Sequence, residues 1–366
     1  MSVTKITSPD DPALEELCAE LARLANDLDV SGEWPARQLQ LCGEYGVFEW
    51  FLEPQWGGQA WDDEAVVRGH LALSSACLTT TFVLTQRTGA CRRIASAQHT
   101  TCQQQLLPDL VSGQLMATVG ISHLTTSRRH LARPVLRAKP VDGGYLLDGF
   151  SPWVTGAAHS DYVVVGATIT DDEDEATDKQ LLVALPTDLP GVSAPAPAQL
   201  VGVGASHTGE LRLQAVFVEQ RWVIAGPIEN VLSVGSGAGA GGYQTSTLAL
   251  GLARSAIDFL ATQSLQRSEL GTPLEALQQE FNTVQAQLFS VVRGDPACSS
   301  EELRQRANSL TLRSAQAALA AAKGTGYIVG HPAGRWCREA LFFLVWSCPQ
   351  PVLAANLCEL AGLASE

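Results

Sequence analysis

Residues 342–352 read FFLVWSCPQPV. Aromatic and aliphatic side chains surround Ser347 and Cys348, and Pro349 and Pro351 turn the chain directly afterwards. The segment has the composition of a pocket wall, yet its only ionisable group is the Cys348 thiol. Apolar surroundings raise a thiol's pKa and make it a poor base. Ser347 has no activator beside it, and a serine hydroxyl needs one. A second pair of chemically capable neighbours is Ser122 and His123, a hydroxyl next to an imidazole that titrates near neutrality. The other reactive side chains are dispersed. Nine cysteines form no Cys-x-x-Cys pair and seven histidines no His-x-x-x-His pair, so the sequence predicts reduced thiols and no metal site.

Gly237, Gly239 and Gly242 satisfy the spacing G-x-G-x-x-G. That pattern binds a dinucleotide when a strand enters the turn and a parallel strand leaves the helix after it. Here the following helical pattern runs into another helix, so no dinucleotide fold is expected. A flexible or closely packed helix start remains, which offers free N–H groups to an anion or a carbonyl oxygen.

The elements that must position these residues fall into three blocks. Residues 1–112 read as helical, from SPDDPALEELCAELARLANDL onward, with a break near Thr79, Thr80 and Thr81. Residues 113–226 carry short strands rich in β-branched and aromatic residues, among them DYVVVGATI and LRLQAVFV. The acidic run DDEDEATD at 171–178 falls between two of them and reads as a solvated hairpin tip. Residues 227–366 are helical again, as a set of four. Contiguous strands exclude a βαβ arrangement, so the class is α+β and multidomain.

Bulk composition narrows the partners. With 366 residues and 46% hydrophobic side chains, the chain can bury a large core. A net charge of -14 argues against nucleic acid or anionic lipid as the main partner. No apolar run approaches the ~20 residues of a membrane span. The start, MSVTKITSPDDPALEEL, lacks an apolar signal core, and a cytoplasmic protein is expected.

GGYLLDGFSPWVTGAAHSDYVVVGA, residues 143–167, resembles the acyl-CoA dehydrogenase family. So do VGVGASHTGELRLQAVFVEQRWVI (201–224), RSELGTPLEALQ (267–278) and KGTGYIVGHPAGRWCREA (323–340), in the family's order and spacing. The resemblance implies an N-terminal helical domain, a central β-barrel-like domain and a C-terminal four-helix bundle enclosing FAD. It places Trp153 and Thr155 beside the flavin ring, with Ile121 and Ser122 on the flavin-binding strand. Arg267 would meet the diphosphate of a neighbouring subunit's FAD, and Gly324 and Gly326 would let backbone approach the cofactor. It further implies a homodimer or homotetramer, an acyl-CoA or similar apolar substrate, and an electron-transfer or flavin-reductase partner.

Several positions depart from the family pattern. VGISHLTTSRRH, residues 119–130, lacks the usual proline and glycines and carries Arg128 and Arg129 instead. Leu270, Ala320 and Lys323 replace a family Phe, Gln and Gly. Aligning Arg338, Glu339 and Ala340 on the family's Arg-Asp-Ala puts Ser347 where the glutamate base stands. The family's other location for that base falls at Gly241 and Gly242. Removing a proton α to a thioester needs a base of suitable pKa within hydrogen-bond reach. Three readings stay open: a dehydrogenase whose base is His123, Ser347 or Cys348; a flavin-dependent monooxygenase; and an inactive flavin or acyl binder.

Overall fold

The computed structural model describes residues 4–125, 134–235 and 242–363. Five helices open the chain: α1 Pro12–Ser31, α2 Ala36–Glu44, α3 Asp63–Ala76, α4 Leu78–Ala95 and α5 Thr100–Ser112. The start of α1 follows from local chemistry. The Asp11 side chain accepts the Ala13 N–H, Pro12 occupies the first turn, and Gly32 closes the far end in a left-handed conformation.

The break expected near Thr79 lies instead at Cys77, whose extended backbone separates α3 from α4. Thr79, Thr80 and Thr81 continue the helix and are buried. The Thr81 hydroxyl bonds back to the Cys77 carbonyl at 2.9 Å, which satisfies it inside the helix. Helix α4 lies at the junction of three cores. Ala90, Cys91 and Ile94 join the sheet core, Leu78 and Phe82 the C-terminal helices, and Val83 and Leu84 the N-terminal helices. A helix buried on all sides shows no polar stripe, which obscures its start in the sequence.

The central block holds β1 Ala117–Gly120, the one-turn α6 Ser122–Thr125, β2 Leu136–Val141, β3 Gly144–Thr155, β4 Tyr162–Thr170, β5 Ala176–Pro186, β6 Val192–Ser193, β7 Thr208–Glu219 and β8 Val223–Glu229. One sheet runs β6-β7-β3-β2-β4-β5-β8, and β1 joins it on β4. Because β5 occupies one edge of β4, β1 and β2 share the other. Ala117–Gly120 pair with residues 162–165, and Arg137 and Ala138 with Thr168 and Ile169. The acidic run forms the β4–β5 turn, where Arg137 reaches Asp174 at 2.9 Å. Arg128, Arg129, Gly237, Gly239 and Gly241 lie outside the described residues.

The C-terminal block comprises α7 Tyr243–Ser264, α8 Gly271–Val292, α9 Ser300–Ala322, α10 Pro332–Leu341 and α11 Gln350–Leu360. It is packed around Leu248, Leu252, Phe281, Leu310 and Phe343. Helix α10 continues into a tight turn at Phe342–Leu344, and α11 begins beyond Pro349. The whole is an α+β architecture, with a sheet set between two helical blocks.

Candidate active site

A cavity of about 500 Å³ opens where α4, β1, β3, α7 and the end of α10 meet. That size suits a small-molecule site. Each wall follows from a simple periodicity. On α4, Phe82, Thr85, Gln86, Gly89 and Arg93 stand at helical spacing, so one face of the helix lines the cavity. On β3, Trp153 and Thr155 are two residues apart and share a face, while Val154 between them is buried in the sheet core. The same alternation presents Val119 and Ile121 at the end of β1, and Ser122 follows. Beyond them, Arg338, Leu341, Phe342, Val345 and Trp346 repeat helical spacing along the α10 extension, with Ser347 at its tip.

The apolar wall is aromatic. Phe342 and Trp346 stack with ring centroids 5.0 Å apart, and Phe82 meets both edge-on at 4.9 Å. The polar wall is built of hydroxyls. Thr155 Oγ1 lies 2.9 Å from Thr208 Oγ1, which lies 2.9 Å from Ser206 Oγ. Trp153 keeps 49% of its surface uncovered within this cleft, an unusual exposure for an indole on a sheet. A flat aromatic heterocycle with polar edges fits that combination of bare indole and hydroxyl array. Among the described lining residues there is no carboxylate.

Ile121, Ser122, Trp153, Thr155 and Ser347 are thus brought together from three separate segments. The other residues singled out in the sequence lie elsewhere. His123 is buried away from the cavity with Nε2 2.7 Å from the Gly166 carbonyl, so that nitrogen carries the proton. Burial depresses its pKa, and the Gly166 bond offsets part of the effect. Cys348 follows Ser347 but does not line the cavity, and burial raises its thiol pKa against the pull of Arg304. Arg267 donates to the Ala321 carbonyl at 2.8 Å and to Gln263 Oε1 at 2.9 Å, closing the end of α9. Gly326 is explained by packing within the chain, because a Cβ there would come 2.6 Å from that of Ala322. Gly324 faces open space.

Three features were not legible in the sequence. The α4 face carries no motif; only its helical spacing could have flagged it. Glu339, 2% exposed, lies on α10 with Oε2 3.5 Å from Arg335 Nε and Oε1 3.4 Å from the Thr79 hydroxyl. Burial outweighs Arg335 and raises this carboxyl to about 7. It does not line the cavity. Finally, His159 Nε2 lies 2.8 Å from His207 Nδ1, and Trp34 stacks on His159 at 4.4 Å. Pairing of β3 with β7 brings these histidines together across 48 residues. A second cavity of about 600 Å³ shares Leu200, Val201, Gly202 and Arg338 with the first and extends to Asp29, which is ion-paired with Arg338. No group of residues able to hold a metal ion occurs among the described residues.

No protein-family model matches the chain. It is 25% identical over 265 residues to the probable acyl-CoA dehydrogenase YngJ of Bacillus subtilis, covering 71% of this chain and 68% of that one. It is 24% identical over 342 residues to the short-chain specific acyl-CoA dehydrogenase of Bos taurus mitochondria, covering 88% and 81%. Further curated dehydrogenases match over less than two thirds of their own length. Among solved structures, a glutaryl-coenzyme A dehydrogenase with glutaryl-CoA superposes with a TM-score of 0.80 at 16% identity, covering 97% of this chain and 96% of that one. The dibenzothiophene monooxygenase TdsC of Paenibacillus sp. A11-2 gives 0.79 at 13%, covering 96% and 97%. A glutaryl-CoA dehydrogenase of Mycobacterium smegmatis in complex with FADH2 gives 0.77 at 16%, covering 98% and 96%. The fold is therefore that of the acyl-CoA dehydrogenases over nearly the whole chain. The curated relatives that it resembles over most of its length are likewise acyl-CoA dehydrogenases.

Proposed function

We propose that this protein is an FAD-dependent oxidoreductase that takes an acyl thioester, or a similarly apolar substrate, into the cavity beside Trp153. The observation that carries the reading is the meeting of Trp153, Thr155, Ile121, Ser122 and Ser347 around one cavity. Trp153 would cover one face of the flavin ring, and Thr155, Ser122 and the backbone at Ile121 would serve its polar edge. When bound, FAD supplies a two-electron acceptor. Phe82, Phe342 and Trp346 would exclude water and seat the acyl chain.

Ser347 stands where a dehydrogenase needs its base. A serine hydroxyl cannot accept the α-proton at neutral pH without an activator, and losing general-base help costs roughly 10²–10⁴-fold in rate. Desaturation by this chain is accordingly slow. The hydroxyl-rich, carboxylate-free lining favours a second reading, oxygen insertion into a bound apolar substrate, the kind of reaction named for the structurally similar dibenzothiophene monooxygenase. Gly324 and the exposed Tyr327, Ile328 and Val329 would face a second subunit of a homo-oligomer.

The test is anaerobic titration of the FAD-loaded protein with butyryl-, octanoyl- and glutaryl-CoA, followed in the visible spectrum. Slow bleaching of the flavin band supports dehydrogenation. A spectrum that shifts without bleaching, with oxygenated product once reduced flavin and oxygen are supplied, supports the second reading. A spectrum unchanged by all three thioesters removes thioesters of those lengths as substrates.

A further inference from the structure

Behind Ser347 lies a buried cation. Arg304, on α9, is fully buried, and among the described residues it forms no ion pair. Removing a guanidinium from water without a counter-ion is expensive, so something must hold it there. Its hydrogen bonds go to one short segment. Nη2 donates to the Phe343 carbonyl at 3.1 Å and to the Trp346 carbonyl at 2.9 Å. Nε donates to Asn308 Oδ1 at 2.9 Å, and Asn308 Nδ2 donates to the same Phe343 carbonyl at 3.1 Å. Three hydrogen bonds from two side chains one helical turn apart therefore grip two carbonyls.

The residue after the second carbonyl is Ser347, with φ of 46°, in the left-handed region. A non-glycine residue keeps such a conformation only where its surroundings over-determine it. Among the described residues no hydrogen bond of its own holds Ser347, whereas the carbonyl immediately before it is fixed by Arg304. Ser347 ends the cavity wall that Phe342 and Trp346 form.

We propose that Arg304, assisted by Asn308, is a positioning residue: it clamps the Phe343 and Trp346 carbonyls so that Ser347 is held left-handed in the cavity wall and the acyl pocket keeps its end. The inference rests on the reading of this cavity as the thioester site, and its effect passes through Ser347 rather than through contact with substrate.

The experiment uses the full FAD-loaded chain and the variants Arg304→Met, Arg304→Lys and Asn308→Ala, each with Ser347 and with Ser347→Gly. Hydrogen exchange of peptides covering residues 342–349 reports the clamp without any substrate. The dissociation constant for octanoyl-CoA reports its consequence. Arg304→Met should speed exchange in that segment about tenfold or more and leave residues 243–264 unchanged. It should also weaken octanoyl-CoA about tenfold. Arg304→Lys and Asn308→Ala, which each keep part of the grip, should fall between. In the Ser347→Gly background, where glycine adopts the left-handed conformation unaided, Arg304→Met should change the dissociation constant far less.

Unchanged exchange in 342–349 overturns the clamp. Equal weakening in both backgrounds overturns its action through Ser347 and leaves Arg304 a purely structural residue. If Arg304→Met does not fold, Arg304→Lys and Asn308→Ala decide by the same two readouts. If the unaltered protein does not bind octanoyl-CoA, the thioester reading fails while the exchange arm still judges the clamp.

Discussion

One segment places the hydroxyl of Ser347 in the cavity wall and leaves the ionisable Glu339 outside the lining. If Ser347 stands at the position of the base, Ser347→Glu should raise the rate of anaerobic flavin bleaching by a thioester about 10²-fold or more. Stopped-flow absorbance would measure it, and a rate unchanged or lowered would place the base position elsewhere. Glu339 gives a pH signature in stability. Its carboxyl is raised to about 7 from 4.5 in the folded protein. Between those values the folded chain keeps a proton that the unfolded chain has released. The stability that this group contributes is therefore fully present below pH 4.5 and is lost as pH rises toward 7, by at most about 1.4 kcal/mol per pH unit. Urea unfolding across pH 4.5–8 should show this slope, and Glu339→Gln should flatten it. At this scale the sequence was partly legible. Ser347 could be placed from the Arg338–Glu339–Ala340 register. The burial of Glu339 could not, because it depends on Thr79, 260 residues away in the chain.

The site depends on α7 and α4 keeping their places. Gly251 lies where α7 packs on α3, and a Cβ there would come 2.5 Å from Ser74 Cβ and 2.8 Å from the Leu71 carbonyl oxygen. Gly251→Ala gains roughly 0.8–1.0 kcal/mol of helix propensity. Overpacking against a backbone atom that cannot swing aside costs about 1–3 kcal/mol, and more at the close approach seen here. The clash wins, and thermal melting should show destabilisation rather than the stabilisation propensity alone predicts. Strands with a strong alternating or β-branched pattern, such as β4 and β7, were evident from sequence. β2 was not, because Lys139 and Pro140 break that pattern; the strand is held by its neighbours β3 and β4. The helix boundary at Cys77 was displaced for a related reason. Three threonines look like a helix breaker until each finds a partner: Thr79 the Glu339 carboxyl, Thr80 the Cys77 sulfur and Thr81 the Cys77 carbonyl.

For the whole molecule, α+β class and three-block order were readable because hydrophobic periodicity changes twice along the chain. The cavity was not, since its walls come from elements far apart in sequence and meet only on folding. No helix among the described residues is long and apolar enough to cross a membrane. The exposed run Tyr327, Ile328 and Val329 next to Gly324 predicts self-association. Light scattering should report a dimer or larger species, and Ile328→Asp should shift it toward the monomer.

The claim on which the rest stands is that the bare face of Trp153 is a flavin surface. It is tested most directly by equilibrium titration of purified, flavin-stripped protein with FAD, followed by flavin fluorescence, for the unaltered chain and Trp153→Ala. Saturable binding, weakened about tenfold or more by Trp153→Ala in a variant that keeps its fold by circular dichroism, is the expected result. A chain that takes up no FAD, or one whose affinity ignores the loss of the indole, contradicts it.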